Sequence, residues 1–308
     1  ANTTGEKNTA IGAFALTAAT TGDGLTAVGH NSLKSNTTAD SNTAVGRDSL
    51  QANTTGHSST AVGRNALYTN TTANYNNAFG YNALYSNTTG SGNVAIGAAA
   101  LDANTTGLEN TVLGYNALTD NVTGSRNVAV GKNALMDSLV SENTGVGFEA
   151  LKLNTTGNQN VGIGVSALKS NTTGSQNTAV GSNALGSNTT TDNQTAFGYY
   201  ALYNSTGTSN AAFGRSAMLN NTSGTQNTGV GDAVLAQNTI GSNNTAVGKS
   251  ALTANTTGRN NTSVGSLALD ANTTAHDNTA IGFQALTTNT TGSRNVGVGN
   301  SALDLNTT

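Results

Sequence analysis

Apolar residues in this chain occur in two short phrases that return on a fixed beat. One reads Thr-Ala-Val-Gly, as at Thr43-Ala44-Val45-Gly46, and the other Ala-Leu, as at Ala66-Leu67, with polar residues filling the intervals. The glycine that closes the first phrase stands at Gly12, Gly29, Gly46 and onward to Gly299, eighteen times in all. Successive glycines are 17 residues apart except in two 16-residue intervals, Gly131 to Gly147 and Gly198 to Gly214. With the Asn before the phrase as position 1, the consensus is N-T-A-V-G-x-x-A-L-x-x-N-T-T-G-x-x. A repeat this short cannot bury its own apolar side chains, so neighbouring copies must stack to make a core. Neither phrase sustains a 3.6-residue period, and the recurring Gly would interrupt a helix. The pattern therefore predicts an all-β fold, a parallel β-solenoid (β-roll) of about 18 coils of 17 residues with two strands of about 3–5 residues per coil. The repeat runs through residues 1–308 as a single repeat domain, read as a segment of a longer fibre.

Position statistics predict the core. Position 4 is Val, Ile, Leu or Phe in every coil, and position 9 is Leu in all but one, where Met218 stands. These two positions are the expected core. Position 3 is small (Ala10, Ala27, Gly145, Ser263) except at Val112, and position 8 is mostly Ala. Because neighbours on a strand point to opposite faces, one face should line the interior and the other should form an outward ladder of small or apolar side chains. Such a ladder is best removed from water by other copies of the chain. Position 2 alternates Thr with Val (Val94, Val128, Val161, Val296) and should share a face with position 4. Asn fills position 1 in fifteen of eighteen coils, a pattern that predicts stacked amides bonding from coil to coil. Gly at positions 5 and 15 is expected where φ is positive or backbones approach closely.

Composition sharpens this picture. Charged residues make up 9% of the chain and aromatic ones 5%, with no Pro, Cys or Trp and a net charge of −3. No basic footprint for nucleic acid results, and no apolar run is long enough to insert in a membrane. All 12 basic and 15 acidic residues fall at positions 6, 7, 10, 11, 16 or 17, which marks those positions as solvent-facing corners. Both signs occur at most of them, limiting repulsion between coils about 4.8 Å apart and giving a rod of roughly 85 Å. Both short coils are expected to lose a residue at a corner: one where Met136–Glu142 replaces N-T-T-G, the other before Asn204.

The phrase N-T-A-V-G-x-x-A-L, as in Asn42-Thr43-Ala44-Val45-Gly46, resembles the N-S-V-A-I-G repeat of the YadA-like head of trimeric autotransporter adhesins. It is also similar to Asn/Thr-rich repeats of phage and environmental tail-fibre β-rolls. The resemblance covers nearly every coil, with an N-T-T-G corner enlarging each one. It implies a left-handed roll, a homotrimer about a threefold axis, and adhesion at a cell surface or virion.

Chemistry is sparse. His30, His57 and His276 lie in separate coils, the last two about 13 coils apart, on the order of 60 Å. They assemble no metal site and no catalytic triad, so no enzyme, metal or cofactor is expected. Glycine pairs such as Gly162 and Gly164 lead into no helix, which argues against a phosphate loop. Isolated carboxylates such as Asp23 and Asp40 are expected as solvated corners. Three features remain as candidates for recognition. Tyr68, Tyr81 and Tyr85, near Tyr75, and Tyr199, Tyr200 and Tyr203 form two tyrosine groups suited to a glycan or protein on a host surface. The N-T-T triplet makes glycosylation sequons at Asn36, Asn53, Asn70, Asn87, Asn104, Asn154, Asn171 and Asn255. Rows of Thr at positions 13 and 14, such as Thr37 and Thr38, suggest ice binding, the least favoured reading. Leu139 and Val140 offer a local apolar spot. The leading expectation is a structural and adhesive rod of an extracellular fibre, with other copies of itself as partners. The alternative is a filament subunit that stacks end to end.

Overall fold

The structure, a computed structural model, describes residues 2–308. The chain divides into two units, 1–156 and 157–308. The first carries nine three-residue strands, from β1 (Thr9–Ile11) to β9 (Thr144–Val146), and the second nine more, from β10 (Val161–Ile163) to β18 (Val296–Val298). Within each unit every strand pairs in parallel with that of the next coil, each repeat position facing its own counterpart: Ala44 faces Ala61, and Ala179 faces Ala196. The two units are thus built alike, as stretches of β-solenoid.

Each coil holds one strand, at positions 2–4, and not the two expected. The Ala-Leu phrase lies in a continuous turn instead, because positions 7 and 9 both take left-handed φ: Asn65 at 59° and Leu67 at 51°, for example. Coil-to-coil hydrogen bonding continues through this turn, as where the Leu67 N–H donates to the Ala83 oxygen at 3.0 Å. Left-handed leucine costs roughly 1–2 kcal/mol. Full burial of its side chain returns about 1.5–3 kcal/mol, so the position holds Leu despite its backbone. The curl also turns Ala66 and Leu67 inward together, which adjacent strand residues cannot do.

The interior differs from expectation at position 4. Position 3 faces inward, with Ala44, Ala61 and Ala95 fully buried, whereas position 4 faces out along with position 2. The two therefore do share a face, as the Thr/Val alternation predicts. The reason for the inversion is space. A Cβ added at Gly145 would lie 3.1 Å from Leu135 Cγ, and one at Gly297 3.2 Å from Leu286 Cγ. The leucine of one coil thus fills the room next to position 3 of the following coil. Only a small residue fits there, and the bulky member of the strand is left outside. Val112 is accommodated inside as the exception.

Two amide ladders complete the interior. At position 1, the Asn110 N–H donates to Asn93 Oδ1 at 3.0 Å, while Asn110 Nδ2 donates to the Gly124 oxygen at 2.9 Å. At position 12, Asn53 Nδ2 donates both to Asn36 Oδ1 and to the Gly56 oxygen. The carbonyl at position 15 therefore receives amide donors from both ladders. Position 5 requires glycine on two counts: φ is +133° at Gly46, and an added Cβ would lie 2.6 Å from the Gly63 oxygen. Position 15 combines close approach with ordinary φ and admits alanine at Ala39 and Ala73.

The two short coils have one construction. Asn127 Nδ2 donates to the Val140 oxygen, and Gln194 Nε2 to that of Gly207, so Val140 and Gly207 hold position 15. Ser138 and Ser205 hold position 12, and each coil has lost one residue of the threonine pair at positions 13–14. In the second short coil the deletion therefore follows Ser205 and does not precede Asn204.

Candidate functional site

The surface sorts into an outward sheet face and a set of polar corners. On the face, position 4 presents a row of Val, Ile, Leu and Phe, with Ile96, Leu113, Ile163 and Ile281 among its exposed members. No charged residue lies on the strands. The corners carry the charges, and neighbouring coils pair them: Arg126 with Glu142 at 2.7 Å on position 17, and Arg215 with Asp232 at 2.9 Å on position 6.

Position 16 is more ordered than a solvated corner. In many coils its side chain accepts the N–H of the residue at position 16 in the preceding coil: Asp23 Oδ1 from Glu6, Asp40 Oδ1 from Asp23, Asn74 Oδ1 from His57 and His276 Nδ1 from Arg259. Asp, Asn, Ser, Thr and His recur there because each offers an acceptor on a short stem. The shared acceptor atom is the one signal of this role in the sequence, and the variation in charge conceals it.

Acidic side chains gather at one place. Asp102 and Asp137 both have carboxyl groups pushed up from the ordinary aspartate range, first by partial burial and then by the charge of Asp120. Asp270 is raised by partial burial, against the lowering effect of a hydrogen bond with Thr253. Among the described residues no group of His and carboxylates is arranged to hold a metal ion. A shallow depression of about 370 Å³ is lined by Asp40, His57, Ser58 and neighbouring threonines. Its Asp40 Oδ1 accepts a backbone N–H, while His57 Nδ1 lies 3.2 Å from Ser58 Oγ. No helix in the described residues is long and apolar enough to cross a membrane.

The candidate recognition residues separate. Tyr68 and Tyr85 stack at 5.1 Å with ring planes 7° apart, following the coil spacing. Tyr81 lies instead against the Arg64 guanidinium, 5.8 Å from its ring centroid. Tyr199, Tyr200 and Tyr203 form one cluster, with centroids 4.4 and 4.8 Å apart. The neighbouring Tyr199 phenol pushes the Tyr200 hydroxyl up from its usual titration range. Room for Tyr203 exists because position 10 of the coil before is Gly186: a Cβ there would meet the ring at 2.7 Å.

Asn36, Asn53, Asn70, Asn87, Asn104, Asn154, Asn171 and Asn255 are all fully buried, in the position 12 ladder. The atom that would carry a sugar is the Nδ2 that bonds inside the coil, as Asn87 Nδ2 does to Asn70 Oδ1 and the Gly90 oxygen. A glycan has no place on these side chains while the coil is closed. The position 13 threonines are also engaged, Thr37 and Thr54 each donating a hydroxyl to the backbone of the next coil at 3.1 Å. Leu139 is exposed, as the apolar spot in the first short coil requires. No protein-family model matches the chain, and no curated protein matches it.

Proposed function

We propose that this chain is a structural and adhesive rod of an extracellular fibre, of the kind found on cell surfaces or virions, whose copies associate side by side through the outward sheet face. The observation that supports this most is the uncharged apolar row at position 4, repeated in every coil and left outside because the leucine at position 9 already fills the interior. Charge depletion at a continuous apolar surface characterises the centre of a protein interface. The strands together offer enough of it. A three-residue strand is about 10 Å long and strands lie about 4.8 Å apart, so the nine strands of each unit present roughly 430 Å², twice that summed over the two units. A stable interface uses about 800 Å² per partner. The corners stay free in such an association, and the tyrosine groups at Tyr68 and Tyr85 and at Tyr199, Tyr200 and Tyr203 would be displayed many times over for a host glycan or protein. A homotrimer of left-handed rolls is the arrangement we favour, from the resemblance to the adhesin heads.

Sedimentation of the purified chain over a hundredfold range of concentration tests this. A fixed small oligomer supports the proposal. Open-ended growth would indicate an end-to-end filament, and a monomer throughout would overturn both.

A further inference from the structure

A face made of identical coils can attract a second copy but cannot tell it where to stop. Sliding one copy by a single coil, about 4.8 Å, would set Val against Val again with little change in energy. The position 4 row breaks this degeneracy at three places. Phe79 stands between Val62 and Ile96, and Phe197 and Phe213 occupy consecutive coils. All three rings are exposed, at 39%, 38% and 38%. The Phe197 and Phe213 rings stack at 5.3 Å and 10°, forming one raised aromatic block. The surroundings are adjusted to the block. Position 2 beside Phe213 is Ala211, where neighbouring coils carry Thr195 and Thr228, so the sheet is lowered next to the ring. Beside Phe79 it is Asn77.

We infer that Phe79, Phe197 and Phe213 set the axial register between side-by-side copies of this chain, the Val and Ile coils supplying most of the contact area. This rests on the side-by-side association proposed above. In register, and with the copies parallel, the aromatic block of one copy meets the same block of the next, beside the space left by Ala211. A shift of one coil brings Phe213 opposite Val230, and part of the aromatic contact is exchanged for a step in the surface. Stacked aromatic pairs add contact energy beyond their area, which is what a register device requires.

The absence of cysteine makes the test direct. Val247→Cys and Val264→Cys place single thiols on position 4 of consecutive coils, away from the rings. The two single variants are mixed under denaturant, refolded together and oxidised. A disulfide requires Cα atoms within about 7 Å, so a one-coil offset takes a pair at about 6 Å beyond reach. In the otherwise unchanged chain, like-with-like disulfides should exceed mixed ones at least tenfold. In the Phe79→Val, Phe197→Val, Phe213→Val background the two kinds should approach equal yield while the oligomer mass is unchanged. Valine already fills this position in many coils, and circular dichroism checks that the solenoid is retained. An unchanged preference in the triple variant overturns the register assignment and leaves the association standing. A monomeric chain that forms no disulfide overturns the association itself.

Discussion

Leu113 and Leu118 are five residues apart in one coil and chemically identical, yet they should respond very differently to truncation. Leu118, at position 9, is fully buried. Its φ is +49°, and alanine in the same place would bear a similar left-handed cost, so the backbone contribution cancels in Leu118→Ala. What remains is lost transfer energy plus the cavity left in a narrow interior, together about 3 kcal/mol. Leu113, at position 4, is 46% exposed. Leu113→Ala removes only the buried half of a side chain whose full burial is worth about 1.5–3 kcal/mol, so it should cost about 1 kcal/mol. Urea unfolding followed by circular dichroism, at concentrations low enough to keep the chain monomeric, measures both. At high concentration the Leu113→Ala cost should grow as association covers that face, while that of Leu118→Ala should stay constant. Equal costs at low concentration, or a larger one for Leu113→Ala, would refute the inside–outside assignment.

Three further outcomes follow from the same geometry. Ser138 interrupts the position 12 ladder and leaves Asn121 Oδ1 and its own hydroxyl buried without partners, so Ser138→Asn should raise stability by about 1–2 kcal/mol in a urea titration. At Gly229 an added Cβ would stand 3.0 Å from both Met218 Cε and Val234 Cγ1. Gly229→Ala should therefore cost about 1–3 kcal/mol, and Val234→Ala in the same chain should restore most of it, a coupling that a double-mutant cycle reads directly. The carboxyl groups of Asp102, Asp137 and Asp270 titrate above the ordinary value of 3.8. A raised folded-state value means that these groups favour folding while protonated, and that this contribution is lost as pH rises through the folded-state value. Asp102→Asn should accordingly raise the Tm at pH 7 and reduce the difference between pH 7 and pH 4 in thermal melts.

The repeat length, the parallel stacking and the corner positions were legible because each is a matter of period, and the period is written eighteen times. The direction of the strand was not. Ala44 and Val45 differ in size, and larger apolar residues ordinarily go inside, but the interior here is filled from the opposite wall by Leu33 and its equivalents. That wall could not be read as inward at both Ala66 and Leu67 without the left-handed backbone at Asn65 and Leu67, which a leucine does not announce. The Asn ladder at position 1 was visible from its constancy. The ladder at position 12 was hidden by its sequence context, since Asn-Thr-Thr-Gly reads equally as a turn and as a glycosylation signal. Position 16 appeared variable because Asp23, Asn74, Ser125 and His276 differ in charge and share only an acceptor atom. Of the recognition residues, the tyrosine stack at Tyr68 and Tyr85 followed from the 17-residue spacing. The place of Tyr203 depended on Gly186, whose importance is apparent only once the coils are stacked.

The face bearing position 4 points outward, and in the association proposed above it is the surface through which copies meet. Thiol labelling distinguishes the two faces, using Ala44→Cys and Val45→Cys on β3 (Thr43–Val45) of the cysteine-free chain. The thiol at 45 should react rapidly in dilute solution and become protected as concentration rises, while the thiol at 44 should stay unreactive until the coil unfolds. Rapid labelling at 44 with protection at 45 in dilute solution would put position 3 outside and overturn this orientation.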